Sequence, residues 1–433
     1  MNQVISTPWP LWRKVIFRFL CVYFLLFTTP WTWFDEIPGV AYVTKYFQDL
    51  ENWVVNGFNK YIFHIKEVLV PVAGSGDTSY GWAHFYTTLV LALIGCVIWS
   101  LVDRKRPSYN QAEYWLRNIV RYYVILISIV YGSIKVLTLQ MPFPSLSQMA
   151  TPLGDFYPMR FSWMFIGYSS TYQIFSGITE LMVAVLLFNR RTVLIGALAG
   201  IGVYLNVFIL NMSFDIPVKI FSFQMLIGCI FLTATNWNRL LNFFLLNKST
   251  GKDHSWDLQL TKRWHRIGRI VAKVAFLVLF LIMPVYNYLG YYKQVHNVQE
   301  LPPVKPGMYY VNTFVLNNDT IPQLAKDSLH WKDMIFEPGG MGSVNSTDTL
   351  FRQRYHRGYF AYEPDTLEQT ITFKKSRMDT IPLFVWKYEI PDSNSIQLRS
   401  VHKEDSLYIE LVRSQRHFPL MERQFNWMTE FIK

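Results

Sequence analysis

The chain has 433 residues, 51% of them apolar and 17% aromatic, with a net charge of +11. That composition is hard to reconcile with a soluble protein and natural for a membrane one. From Lys293 to the end there are 17 Lys and Arg against 17 Asp and Glu, so the whole excess lies in the apolar first two-thirds, in short loops beside hydrophobic runs. This pattern marks cytoplasmic loops, and it excludes a nucleic-acid binder, which needs a basic face on a soluble domain.

Trp12-Arg13-Lys14 leads into an apolar run over 15–28. No small-residue cleavage site follows, and Trp31 and Trp33 suit the interfacial aromatic belt. The expectation is an uncleaved first span that leaves the cytoplasm. Residues 43–58 have helical spacing of Val, Tyr, Phe, Leu and Trp, as in an amphipathic helix on the outer membrane surface. The segment 74–82, Gly-Ser-Gly-Asp-Thr-Ser-Tyr-Gly-Trp, fits an anion-binding nest or, more commonly, a turn with Asp77 or Thr78 as N-cap.

Further spans are predicted over 85–102, 119–139, 172–188, 192–212, 218–235 and 270–289. The second ends in Asp103-Arg104-Lys105-Arg106, a cytoplasmic stop, and Arg117 and Arg121 open the third. The loop 140–170 is Pro-rich, and its apolar stretch 161–168 is too short to span, so a re-entrant or surface-lying segment is expected. Gly196 and Gly200 form a GxxxG packing motif. Asp215 and Lys219 are four apart and suited to a local pair. The predicted topology is seven spans, N-terminus in and C-terminus out, with every strongly basic loop cytoplasmic.

From Lys305 the pattern changes to period two. Strands are predicted over 308–316, 358–362, 369–374, 383–390, 395–401 and 406–413, with a turn at Asn317-Asn318-Asp319 and a closing helix or strand over 425–432. Short strands at close spacing suggest an antiparallel meander, a small barrel or a sandwich. Gly339-Gly340-Met341-Gly342 reads as a flexible loop. The fold class is thus a membrane α bundle followed by an extracytoplasmic antiparallel β domain. It divides into N-terminal spans with an outer amphipathic loop (1–116), a four-helix membrane unit (117–246), a cytoplasmic loop with the last span (247–292) and the β-rich domain (293–433).

Chemistry-bearing motifs are sparse. The nine histidines have no HxH or HExxH spacing, so no metal site is expected. Cys21, Cys96 and Cys229 lie in separate apolar runs without a CxxC, which argues against a disulfide framework. What remains is an intramembrane polar set: Lys135, Gln173, Glu180, Asn206, Asn211 and Gln224, with Tyr131 and Tyr172. A charge facing lipid costs roughly 2.5–3.5 kcal/mol, so such residues face a bundle interior. Lys135, one turn from the outer end of its span, either snorkels to the interface or turns inward; the expectation is that it meets Glu180 there, either to hold helices together or to serve a ligand or proton. Asp77, Asp155 and Asp215 are the acidic candidates on outer loops. No catalytic residue is assignable.

Gly132-Ser133-Ile134-Lys135, then a Pro-containing linker, then Glu180-Leu181 through Leu186-Leu187 with Arg190-Arg191, resembles the DoxX family of small four-helix membrane proteins. The resemblance covers about residues 117–246, and the whole layout resembles larger bacterial DoxX-like proteins with extra spans and a C-terminal soluble domain. It implies a bacterial inner-membrane location with the β domain periplasmic. Some relatives partner quinone-linked oxidoreductases; others are cargo receptors or assembly chaperones. Two readings compete. In the first, a binding or assembly component holds a lipid- or quinone-like molecule in the bundle and a protein partner at the outer β domain. The alternative is a membrane subunit of a quinone-linked oxidoreductase. No cofactor ligand is evident; membrane lipid is an expected partner and nucleic acid is not.

Overall fold

The computed structural model describes residues 8–35, 37–72, 76–250, 256, 258, 260–297, 300–322, 331–402, 405–423 and 427–428. It forms two compact units, Met1–Gln140 with Ser170–Leu289, and Met141–Ser169 with Gly290–Lys433.

In chain order the helices are α1 (Leu11–Thr28), α2 (Val40–Phe58), α3 (Ser79–Val102), α4 (Asn110–Val136), α5 (Leu146–Met149), α6 (Pro158–Tyr168), α7 (Ser170–Phe188), α8 (Val193–Ser213), α9 (Lys219–Ala234), α10 (Trp237–Phe244), α11 (Arg263–Leu277) and α12 (Met283–His296). A π-helical turn, Val278–Ile282, joins the last two. All but α5 and α6 build the first unit, into which α12 runs as far as Leu289. Its core is a seam of side chains including Val124, Ile125, Val183, Leu187, Ala197, Cys229 and Leu232. The outward faces are as apolar as the seam: α3 bares Leu93, Ile94, Val97, Ile98 and Leu101. In water that surface would be a severe aggregation liability, whereas lipid solvates it. Among the described residues, five helices (α3, α4, α7, α8 and the continuous Arg263–His296) are long and apolar enough to cross a membrane, consistent with a multi-pass protein. A sixth appears if α9 and α10, bent by 78°, count as one span. The first predicted span is the 18-residue α1, which carries Arg13, Lys14 and Arg18 and so fails on composition rather than length.

Two close approaches set the bundle geometry. A Cβ on Gly177 would sit 2.7 Å from the Gly132 carbonyl oxygen and 2.9 Å from the Lys135 Cβ, so only glycine lets α4 and α7 touch backbone to backbone there. Gly196 and Gly200 do the same for α8, the first against Leu186–Leu187 and the second against Cys229. Helix α2 bares Tyr42, Val43, Tyr46, Phe47, Leu50 and Trp53, one continuous apolar face at helical spacing, as an interfacial helix requires.

The second unit is an eight-stranded antiparallel barrel. Its strands are β1 (Gly307–Leu316), β2 (Asp319–Thr320), β3 (Asp333–Glu337), β4 (Met341–Val344), β5 (Arg352–Arg354), β6 (Arg357–Asp365), β7 (Thr370–Lys374), β8 (Phe384–Asp392), β9 (Ser395–His402) and β10 (Asp405–Arg413). The order β1-β3-β4-β6-β7-β8-β9-β10 closes through pairing of β10 with β1, with Tyr310 opposite Val412 and Phe314 opposite Ile409. This pairing decides for a barrel over a sandwich. Strands β2 and β5 are short hairpin partners of β1 and β6. The interior is filled with aromatic rings, among them Tyr309, Trp331, Phe336, Phe360, Phe373 and Trp386, so it is a packed core and not a lumen.

Strands β3 and β4 correct the reading of 339–342 as a flexible loop. Gly339 and Gly340, at φ +78° and +76°, make a tight turn, and Met341-Gly342 open β4. Both strands are buried almost throughout, so they lack the alternation that betrays a half-exposed strand. Nor does the segment 141–169 join the bundle whose helices α4 and α7 it connects; it belongs to the barrel unit. The expected short segment at 161–168 lies in α6, 11 residues long. The expected closing element at 425–432 lies mostly outside the described residues.

Candidate functional site

Lys135 and Glu180 meet. The Lys135 ammonium donates directly to Glu180 Oε1, and both side chains are buried between α4 and α7 beside the Gly132–Gly177 approach. The Tyr131 ring lies 5.8 Å from the Lys135 Nζ. The second carboxylate oxygen, Glu180 Oε2, is buried and makes no hydrogen bond among the described residues. The pair ties α4 to α7 directly, so the arrangement is first a clamp between two helices.

Of the rest of the predicted polar set, Asn211 and Gln224 make their contacts elsewhere. Gln173 is fully buried on α7. Asn211 donates to Ser222 Oγ at 2.9 Å and to the Val218 carbonyl at 3.4 Å, tying α8 to the start of α9. Gln224 is buried on α9 within hydrogen-bond reach of Tyr23 on α1. Asn206 is a correction: it is exposed on the outside of the bundle. Five residues of α-helix turn through 500°, leaving Asn206 about 140° from Asn211, so one helix cannot aim both inward.

Several buried polar residues were missed because cations near helix ends were read only as topology markers. Arg121 donates from Nε to the Leu187 carbonyl at 2.5 Å and from Nη2 to that of Phe188 at 2.9 Å, capping the C-terminus of α7. Arg18 reaches the Tyr109 hydroxyl at 2.8 Å, Ser100 Oγ at 2.9 Å and the Asp103 carbonyl at 2.8 Å. Ser128 and Tyr204 share a 2.6 Å hydrogen bond across α4 and α8. A position count along each apolar helix would have shown these on the inward face, but not their partners.

On the outer-loop candidates, Asp77 accepts from the backbone N–H groups of Lys219 (2.7 Å) and Ile220 (3.1 Å), so it caps α9. Thr78 is the N-cap of α3, accepting from Gly81 N–H at 3.1 Å. Asp215 pairs with Lys219 at 2.7 Å as its spacing suggested. Gly74 and Ser75 of the alternative nest lie outside the described residues. Asp155 is in the barrel unit, 3.9 Å from His356 Nε2. Among the described residues no group of three His, Cys, Asp or Glu side chains is placed to hold a metal.

Two cavities among the described residues of the bundle unit stand out. One, of about 170 Å³, lies among the end of α1, α2 and α3. Leu26, Phe47, Leu50, Val54 and Leu91 make it largely apolar, and one wall is polar: Glu51 contacts His84 Nε2, and Thr87 Oγ1 is buried and makes no hydrogen bond among the described residues. The other, of about 960 Å³, is lined from α4, α7, α8, α9, α10 and α11 and is strongly basic.

No family model matches the chain, and no solved structure does. It is 32% identical over 83 residues to the uncharacterized protein YwoB of Bacillus subtilis (strain 168), a stretch that makes up 19% of this chain. The match covers 54% of that protein's own length.

Proposed function

We propose that the protein is a binding or assembly component of the bacterial inner membrane that holds a lipid- or quinone-like molecule in its bundle. The observation that carries this reading is the small apolar cavity among α1, α2 and α3. A ring or acyl group fits its Leu, Phe and Val lining, and the orphaned Thr87 hydroxyl and the Glu51–His84 pair offer the few polar contacts that fix orientation in such sites. The binding role therefore belongs here, and Lys135–Glu180 acts as the helix clamp of a DoxX-like unit. The barrel is the recognition module for a protein partner.

The proposed topology is seven crossings, with a cytoplasmic N-terminus and a periplasmic barrel. Support comes from contacts between helix ends. Trp9 Nε1 donates to Asn110 at 2.9 Å and Arg13 pairs with Glu113 at 3.2 Å, bringing together the starts of α1 and α4. Asp77 joins the starts of α3 and α9, and Arg121 joins the first half of α4 to the end of α7. Seven alternating crossings put the members of each pair on one side. Grouping of 141–169 with the barrel supports an even number of crossings between 170 and 289. Helices α7, α8, α9 and α11–α12 supply four, so α9 counts as a span although its 16 residues reach only about 24 Å.

The test is solvent extraction and mass spectrometry of the full-length protein purified in mild detergent. A stoichiometric lipid or quinone is expected, and Leu91→Phe, which fills the cavity, and Thr87→Val should each lower its content several-fold. Wild-type protein without such a molecule, or unchanged content in both variants, sinks the reading. A bound quinone reduced on addition of a donor would shift it to the oxidoreductase subunit.

A further inference from the structure

The smaller cavity is graded along α3. His84, Thr87 and Leu91 line it at spacings of three and four, so they follow one helix face from its polar wall to its apolar end. The Glu51 and His84 side chains are 37% and 28% exposed, whereas Thr87 is 2% exposed. The Thr87 hydroxyl departs from the habit of its residue type. A threonine in a helix ordinarily bonds a carbonyl three or four residues back. Thr28, Thr179 and Thr233 do so, at 2.7, 2.7 and 2.9 Å. Thr87 Oγ1 is buried, lines the cavity and makes no hydrogen bond among the described residues. A buried hydroxyl left unpaired is costly, and a ligand oxygen in the cavity would pair it.

We propose that this cavity takes one hydroxylated aromatic ring, a phenol, whose hydroxyl sits between Thr87 and Glu51. The inference rests on the reading of this cavity as the protein's binding site. Size sets the number of rings. An apolar cavity of about 150 Å³ holds one benzene molecule, and this one is about 170 Å³. Trp31 and Phe47 favour an aromatic occupant. Both line the cavity, with ring centroids 6.0 Å apart, and a third ring packs against such a wall offset or edge-on. The polar groups call for a hydroxyl. Thr87 has a hydrogen to donate, and a Glu51 carboxylate only accepts. Glu51 Oε1 contacts His84 Nε2, which leaves the carboxylate further lone pairs. A ligand hydroxyl accepts from Thr87 and donates to Glu51. A carbonyl or ether oxygen only accepts, so it satisfies Thr87 but turns its own lone pairs toward the carboxylate. A phenol is therefore preferred over a quinone or an ether of the same size.

The experiment uses the full-length protein in mild detergent, washed until extraction recovers no bound molecule. The probes are para-fluorophenol, para-fluoroanisole and fluorohexanol. Each is titrated and followed by fluorine NMR, with empty micelles as the reference for partition. The phenol is expected to bind about tenfold more tightly than the anisole, the worth of one hydrogen bond to a charged group, and more tightly than the open-chain alcohol. Glu51→Gln removes the charge and keeps an acceptor, so it should shrink the phenol's advantage over the anisole several-fold. Thr87→Val should weaken both ring probes several-fold, and it keeps the test decisive should Glu51→Gln not fold. Equal binding of phenol and anisole, tighter binding of the alcohol, no signal beyond empty micelles, or variants that bind as wild type would overturn the proposal. A stoichiometric lipid or quinone extracted from unwashed protein, with no preference for the phenol, overturns the phenol alone and leaves the binding reading in place. A preferred phenol, with nothing extracted from unwashed protein, supports the phenol and sinks only the lipid or quinone as occupant.

Discussion

Lys135–Glu180 in the bundle and Arg357–Asp333 in the barrel are both buried ion pairs, with every side chain under a tenth exposed. They are supported very differently. Arg357 Nη2 lies 2.5 Å from Asp333 Oδ1, and its Nε donates to Ser343 Oγ at 3.0 Å. Ser343 donates to Ser147 Oγ at 2.8 Å, and the Ser147 hydroxyl and N–H both donate to Glu337. That chain links three strands to α5, so the inserted segment is held by a polar network. Glu180 keeps one oxygen without a partner among the described residues. The reference state explains the difference. An unfolded barrel hydrates both charges fully, so burial must replace every lost hydrogen bond. Helices already in a membrane never gain that hydration, so a half-satisfied carboxylate costs less.

The contrast is tested most severely in the barrel. Arg357→Ala leaves Asp333 buried and uncompensated and should destabilise the barrel by roughly 3–5 kcal/mol. Limited proteolysis of the full-length protein in detergent should then cut selectively after Gly290, with the bundle intact. Resistance equal to wild type would mean that the network contributes packing only.

A smaller effect is expected in the bundle, because a lone Glu180 can take up a proton and a lone Lys135 can reach toward the helix end. Lys135→Met and Glu180→Gln should each lower stability in detergent by about 1–2 kcal/mol. The double variant should recover part of the loss, since it leaves no charge behind. Strict additivity in the thermal midpoints would show two uncoupled residues.

The smallest effect is at the seam that closes the barrel. Glu410 on β10 accepts from Asn312 Nδ2 and Thr313 Oγ1 of β1, each at 2.8 Å, and these bonds hold its carboxyl below the ordinary value of 4.5. A lowered carboxyl stabilises the fold fully above that value, and the contribution is lost as pH falls through the lower folded value. Wild-type barrel stability should therefore drop slightly more than that of Glu410→Gln between pH 4.5 and more acid conditions. The group is solvent-exposed, so salt and water screen the effect. Parallel pH profiles for the two proteins would remove the seam from the account.

Much of the fold was legible because each solvent leaves its own period in a sequence. Apolar runs ending in Asp103-Arg104-Lys105-Arg106 or Asn189-Arg190-Arg191 announced helices, and alternation in Met308–Leu316 announced strands. The Lys135–Glu180 meeting was legible because a charge inside an apolar helix has few affordable partners. Strands β3 and β4 were not, since burial on both faces erases alternation.

The sequence by itself determined the two classes of structure and the Asp215–Lys219 pair, consequences of hydrophobic period and of spacing along a local turn, and it offered Glu180 as the inward partner of Lys135. Only the tertiary structure decided that β10 pairs with β1 to close a barrel, that 141–169 leaves the bundle for that barrel, and that Asn206 faces outward while Asn211 faces in. It alone gathered Arg117, Arg190, Arg239 and Lys273 around one cavity. The physical reason is that periodicity reports which solvent a face meets, whereas a site is made by side chains far apart in the chain, whose meeting depends on how helices pack and strands close.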